Sequence, residues 1–334
     1  MLNYHSGSVF VATFAVRIVF CALTLSLPLF AKDEPAPNSD FPYTSKYVEV
    51  HGAKMHYVET GTGEPILLIH GNPTNVYIWR NIIPYLATHG RVIAVDLIGF
   101  GKSDKPDIEY RFFDHAVYIE GFIEKMRLQN ITLVMHDWGS ALGFDYASRH
   151  PDNIRGLVFF EALLVPVPSF DQWPNQKAAE AFRLYRTPEL GWNSIVNDNS
   201  FIEKRLQDGV VRHLSEAELQ HYREPFREPK SRKPMWRWPN ELPIAGEPAD
   251  VAAMQMHYLT WLQKAGVRKL LIFAHPGVLT PEPVVVWAKT NLPNLQTVDI
   301  GIGIHNLQED HPKEIGEAIG SWIKQFQQSA TAPR

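Results

Sequence analysis

Asp137 stands at a place where a chain can present a nucleophile. It ends the apolar run Ile131-Thr132-Leu133-Val134-Met135-His136 and precedes Trp138-Gly139-Ser140-Ala141-Leu142-Gly143, so the local pattern reads strand, sharp turn, helix. Such a turn exposes one side chain at the top of a sheet, with the backbone N–H of the next residue facing the reacting group. A serine held there attacks acyl carbon. A carboxylate can displace a leaving group from saturated carbon and carry the substrate as an ester. The plainer reading is a surface Asp that caps a helix, which Asp does well.

A carboxylate ester must be hydrolysed, which needs a base. His305 follows the expected strand Thr297-Val298-Asp299-Ile300 through Gly301-Ile302-Gly303-Ile304 and precedes the last helical pattern, the position of a base distant in sequence from its nucleophile. A histidine base needs an acid to hold its tautomer. The loop Ala274-His275-Pro276-Gly277-Val278-Leu279 carries no carboxylate before Glu282, whereas Glu161 ends the run Leu157-Val158-Phe159-Phe160. Glu161 is therefore the expected acid, with a salt bridge to neighbouring segments as its alternative role. Trp138 offers an indole N–H and Asn72, in His70-Gly71-Asn72-Pro73, an amide N–H. Neither gives up a proton, which suits a weakly basic leaving group such as halide; an alkoxide would need an acid. Core packing for Trp138 and a turn before Pro73 for Asn72 are the structural alternatives.

These residues must be positioned by a sheet. Apolar runs predict strands near 47–50, 55–59, 66–70, 92–96, 131–136, 157–161, 270–273 and 297–300, the first two as a hairpin through His51-Gly52-Ala53-Lys54. Helical patterns lie at 113–126, 140–149, 251–264, 283–290 and 312–326. The alternation predicts an α/β fold with a largely parallel sheet covered on both faces, its ligand-binding loops along one edge. Residues 165–243 break the rhythm with Trp173, Phe182, Tyr185, Trp192, Phe201, Trp236 and Trp238 among prolines and helix formers. They read as a helical cap roofing an apolar, water-poor pocket over Asp137.

The chain has 334 residues, 45% hydrophobic and 20% charged, with a formal charge of −4, so nothing favours nucleic acid. Residues 18–29 are apolar, follow Arg17 and lead to Phe30-Ala31 and then Lys32-Asp33-Glu34-Pro35. That layout predicts a signal peptide over 1–31 and a periplasmic or secreted location, with an uncleaved membrane anchor as the alternative. Cys21, the one cysteine, lies inside it, so cleavage leaves no disulfide or thiol metal site. Residues 32–42 read as a flexible lead-in and 330–334 as a tail.

Several separated segments share one resemblance: His70-Gly71-Asn72-Pro73-Thr74, Asp96-Leu97-Ile98-Gly99-Phe100-Gly101-Lys102-Ser103-Asp104-Lys105-Pro106, the stretch from His136 to Gly143, and His305-Asn306-Leu307-Gln308-Glu309-Asp310. Together with His221-Tyr222-Arg223-Glu224-Pro225-Phe226 and Trp238-Pro239-Asn240-Glu241-Leu242-Pro243, they resemble haloalkane dehalogenases from about Tyr43 to the final helix. The resemblance implies an α/β-hydrolase fold: a mostly parallel eight-stranded sheet with helices on both faces, core segments 43–164 and 244–329, and a cap inserted after strand six. It implies hydrolysis of a haloalkane to a primary or secondary alcohol, halide and a proton through an alkyl ester on Asp137. His305 would be the base, Glu161 the acid, and Asn72 with Trp138 the halide-binding pair. Phe182, Phe201, Trp238, Pro239, Leu242, Val278 and Leu279 are implied as the substrate pocket, with no metal and no cofactor. Asn306, Arg205 and Asp208 depart from the more apolar residues expected near the access path. An epoxide hydrolase and a coelenterazine-type luciferase on the same scaffold are the rival readings, and a non-catalytic binding protein is a third.

Overall fold

In the computed structural model, which describes residues 38–173 and 176–331, the eight strands form one sheet. They are β1 (Lys46–Val50), β2 (Ala53–Thr60), β3 (Pro65–Ile69), β4 (Arg91–Val95), β5 (Ile131–Asp137), β6 (Ile154–Ala162), β7 (Arg268–Pro276) and β8 (Leu295–Gly303). Their order is β1-β2-β4-β3-β5-β6-β7-β8. β1 and β2 pair antiparallel, as does β2 with β4, and every later pairing is parallel. β5 is buried along its whole length and β6 along its last seven residues. That explains why both read as continuous apolar runs and not as alternation, for helices cover both faces of a parallel sheet.

The helix Trp138–Arg149 follows β5 without a loop and stops at His150, before Pro151, where the ring of proline disfavours continuation. Its residues from Trp138 to Ala147 are buried. The helix Ala249–Leu262 packs against it. Gly139 has to be glycine, since a Cβ there would lie 2.2 Å from the carbonyl oxygen of Ile69 in β3. The elbow helix therefore sits directly on the strand beside it.

Between β6 and Ala249 the chain forms the helices Gln176–Tyr185, Pro188–Trp192, Glu216–Arg223 and Lys233–Glu241 with shorter turns between them. Ser215 opens the third of these with a capping box to Glu218. This cap is tied to the strand ends: the carbonyl of Gly209 accepts the N–H groups of both His305 and Asn306, at 2.9 and 2.8 Å. Among the described residues no helix is long and apolar enough to cross a membrane. The segment 1–31, most of the lead-in and the end of the tail lie outside the described residues.

Candidate active site

Asp137 and Glu161 meet at one irregularity in the sheet. The β5–β6 register runs His136 with Phe160 and then Asp137 with Ala162, so Glu161 is the extra residue of a bulge. Both carry left-handed backbone, φ 51° at Asp137 and 44° at Glu161, a conformation non-glycine residues hold only where the surroundings impose it. Ser140 braces the pair: its hydroxyl donates to the carbonyl of Asp137 at 2.6 Å and accepts the N–H of Leu163 at 3.0 Å. The bulge turns two neighbouring strand ends so that both carboxylates face the loops beyond.

The surface-cap reading of Asp137 fails, because the residue is 5% exposed and its side chain makes no capping bond. Its Oδ2 accepts the backbone N–H of Asn72 at 3.3 Å. Burial pushes its carboxyl up to about 7, against the opposing effect of backbone N–H bonds from Asn72 and Trp138. Its charge thus rests on two main-chain donors, the arrangement that also stabilises an oxyanion.

His305 Nδ1 lies 2.9 Å from Glu161 Oε2, and His305 Nε2 lies 3.9 Å from Asp137 Oδ2. Glu161 is held by the N–H groups of Val278 (3.0 and 3.1 Å), Leu279 (2.9 Å) and Thr280 (3.2 Å). Burial raises its carboxyl to about 7, and these three donors pull the other way. A carboxylate ringed by N–H groups can only accept, so His305 Nδ1 must donate to it, leaving Nε2 as the acceptor. Burial, reinforced by the charge of Arg205, lowers His305 to about 3 and keeps its ring neutral, the form a base needs. Gly277 makes the ring of donors possible, with φ 63° and a Cβ position only 2.9 Å from Glu161 Oε1.

A small cavity touches these groups. It offers about 30 Å³ to the centre of a water-sized molecule, room for one or two waters. Asn72, Asp137, Trp138 and His305 line it together with Phe182, Phe201, Pro239, Val278 and Leu279 from the expected pocket. Trp238 and Leu242 do not line this small cavity. Trp238 is fully buried and stacks at 4.3 Å on Trp138, with His115 on its other side at the same separation, so it supports the indole from behind. Leu242 lines a neighbouring apolar cavity of about 260 Å³, from which the first is divided by Val278 and Leu279, shared by both. Asn306 and Arg205 do line the catalytic cavity, whereas Asp208 turns to Lys204 at 2.7 Å. Pro73 and the main-chain donors at 278–280 went unforeseen, the donors because a backbone N–H leaves no mark on residue type. Asn72 Nδ2 donates to the carbonyl of Met235 at 3.1 Å, fixing the amide against the cap. Its second N–H remains for another acceptor. Among the described residues no group of three or more His, Cys, Asp or Glu could hold a metal ion.

Residues 64–312 match the family model of the alpha/beta hydrolase fold. A haloalkane dehalogenase of Mesorhizobium japonicum is 42% identical over 294 residues, which cover 86% of this chain and 94% of the relative. One from Sphingobium indicum is 42% identical over 287 residues, 84% of this chain and 95% of its own. Among solved structures, a putative ancestral haloalkane dehalogenase superposes with a TM-score of 0.83 at 45% identity, covering 84% of this chain and 99% of that one. The haloalkane dehalogenase of Bradyrhizobium elkani gives a TM-score of 0.83 at 40% identity, covering 86% and 99%.

Proposed function

The chain belongs to the haloalkane dehalogenases of the α/β-hydrolase fold, and from that membership we propose the part each residue plays in hydrolysing a carbon–halogen bond. Asp137 attacks the carbon that bears the halogen. The halide leaves with the bonding pair toward the Trp138 indole N–H and the Asn72 amide, and an alkyl ester remains on Asp137. His305 Nε2 takes a proton from a water, which attacks the ester carbonyl. The backbone N–H groups of Asn72 and Trp138 hold the oxyanion until alcohol leaves and the carboxylate is restored. Glu161 keeps the imidazole in the tautomer this needs and stabilises its protonated form.

One observation carries this reading: a buried carboxylate at an elbow, with a main-chain N–H on one oxygen and the free nitrogen of an oriented histidine 3.9 Å away. That gap is too long for a direct hydrogen bond, so Nε2 is available to water. The described residues lining the cavity include no tyrosine to protonate an alkoxide, which favours halide as leaving group. Hydrophobic lining from Phe182, Phe201, Pro239, Val278 and Leu279 suits an apolar alkyl chain.

The test is His305→Phe with 1-bromobutane. The variant should release at most one bromide per molecule and gain the mass of a butyl group on the peptide containing Asp137. Sustained multiple turnover would sink the scheme. The sequence of residues 1–31 further supports export by a cleaved signal, as a proposal.

A further inference from the structure

The segment Phe201–Arg205 ends in consecutive charges, Glu203, Lys204 and Arg205, and the first two are engaged by neighbours. Glu203 pairs with Arg223 at 2.7 Å and Lys204 with Asp208 at 2.7 Å. Arg205 is left half-buried, and among the described residues no carboxylate pairs with it. It lines the same cavity as Asp137, Trp138 and His305. Among the described residues of that lining it is the one with a permanent positive charge, in a wall that includes Phe182, Phe201, Pro239, Val278 and Leu279 as well as Asn306.

A guanidinium drawn out of water without a counter-charge is unfavourable, and it is relieved by an anion that can accept its paired N–H groups. Among the described residues Asp137 makes no ion pair with Arg205, and its Oδ2 accepts the N–H of Asn72. We propose that Arg205 selects short haloalkanes carrying an anionic group, a carboxylate or sulfonate, at the end remote from the halogen. This rests on the dehalogenase reading and adds a substrate class to it. Asp137 and Arg205 line one cavity, which places the carbon–halogen bond at the first and the anion at the second. The reaction balances as before: the C–Br bond breaks with its electron pair on bromide, the ester bond to Asp137 forms, and water cleaves it to a hydroxyalkane carboxylate or sulfonate, the Asp137 carboxylate and one proton. The charge of Arg205 also favours ionised Asp137 and neutral His305, so the same residue is compatible with turnover.

The test compares kcat/KM for 3-bromopropanesulfonate, a permanent anion, with that for neutral 1-bromobutane, by bromide release. The ratio of anionic to neutral substrate should fall by about 10- to 100-fold in Arg205→Gln, the range for a lost hydrogen bond to a charged group, and recover in part in Arg205→Lys. Using the ratio removes any general effect of the substitution on folding or on Asp137. An unchanged ratio, with both substrates slowed alike, overturns the proposal and leaves Arg205 as a positioning charge for the nucleophile. A wild-type enzyme that releases bromide from 1-bromobutane but not from the sulfonate overturns it too. Folded wild-type protein that releases bromide from neither substrate overturns the dehalogenase reading itself.

Discussion

Asp137 is asked to be charged in a place that resists charge. Burial raises its carboxyl from 3.8 to about 7, with the N–H groups of Asn72 and Trp138 and the cation Arg205 opposing that rise. Only the ionised form is a nucleophile, so kcat/KM for a neutral haloalkane should fall as pH drops through about 7, tenfold per unit below it. Stability runs the other way. A carboxyl that binds its proton more tightly when folded contributes stability below 3.8 that is lost as pH rises toward about 7. Asp137→Asn, which cannot ionise, should therefore match the wild type near pH 4 and exceed it at pH 8.5. The upper bound on the gain is roughly 4 kcal/mol, from 1.36 kcal/mol per pKa unit. Paired urea denaturation at the two pH values checks this, and an Asn variant no more stable at pH 8.5 would show that the charge is not held against solvation.

The cap is held over the strand ends by a cluster of charges. Arg80, from the turn after β3, contacts Glu309 at 2.7 and 2.8 Å and Glu218 of the cap helix Glu216–Arg223 at 2.7 Å. Arg212 of the cap reaches Glu218 at 2.6 Å and Glu309 at 2.5 Å, and the Tyr222 hydroxyl donates to Glu309. Glu309 is fully buried and lies four residues after His305, so the cluster joins the cap to the loop of the base. Glu309→Gln would leave Arg80 and Arg212 with Glu218 as their remaining carboxylate and should lower stability by about 1–3 kcal/mol, the range for a weakened hydrogen bond to a charged group. The same change should slow ester hydrolysis more than ester formation, because His305 acts in the second step alone. Denaturation with pre-steady-state bromide bursts separates the two, and an unaltered burst pattern at unaltered stability would refute the coupling. Much of this site was legible in the sequence because Asn72, Asp137, Glu161 and His305 each lie at or just past the end of a strand pattern, and the ends of parallel strands converge on one edge. The clamp was not, since Arg80 and Glu218 are 138 positions apart and nothing in either segment announces its partner. The stacking of Trp238 on Trp138 was not legible either: residue type says that an indole will be buried, while the cap geometry decides what it packs against.

At the scale of the molecule, Pro37–Arg334 form one compact unit, and every residue given a part in the reaction lies within it. Activity should then be independent of residues 1–31. Those residues carry Arg17, the apolar stretch 18–29 and the chain's one cysteine, Cys21, so a chain starting at Lys32 would enter an oxidising compartment with no thiol to pair wrongly. If residues 1–31 are a cleaved signal, the full-length chain produced in a bacterial host should be recovered from the periplasm with Lys32 as its first residue. A version begun at Lys32 and produced in the cytoplasm should match its kcat/KM and melting temperature within error. Edman sequencing and fractionation decide the first point. Recovery of the intact chain in the membrane fraction would replace cleavage by anchorage. Poor folding of the shortened chain would instead show that the core needs residues before Lys32, which the placement of Asn72, Asp137, Trp138, Glu161 and His305 within Pro37–Arg334 argues against.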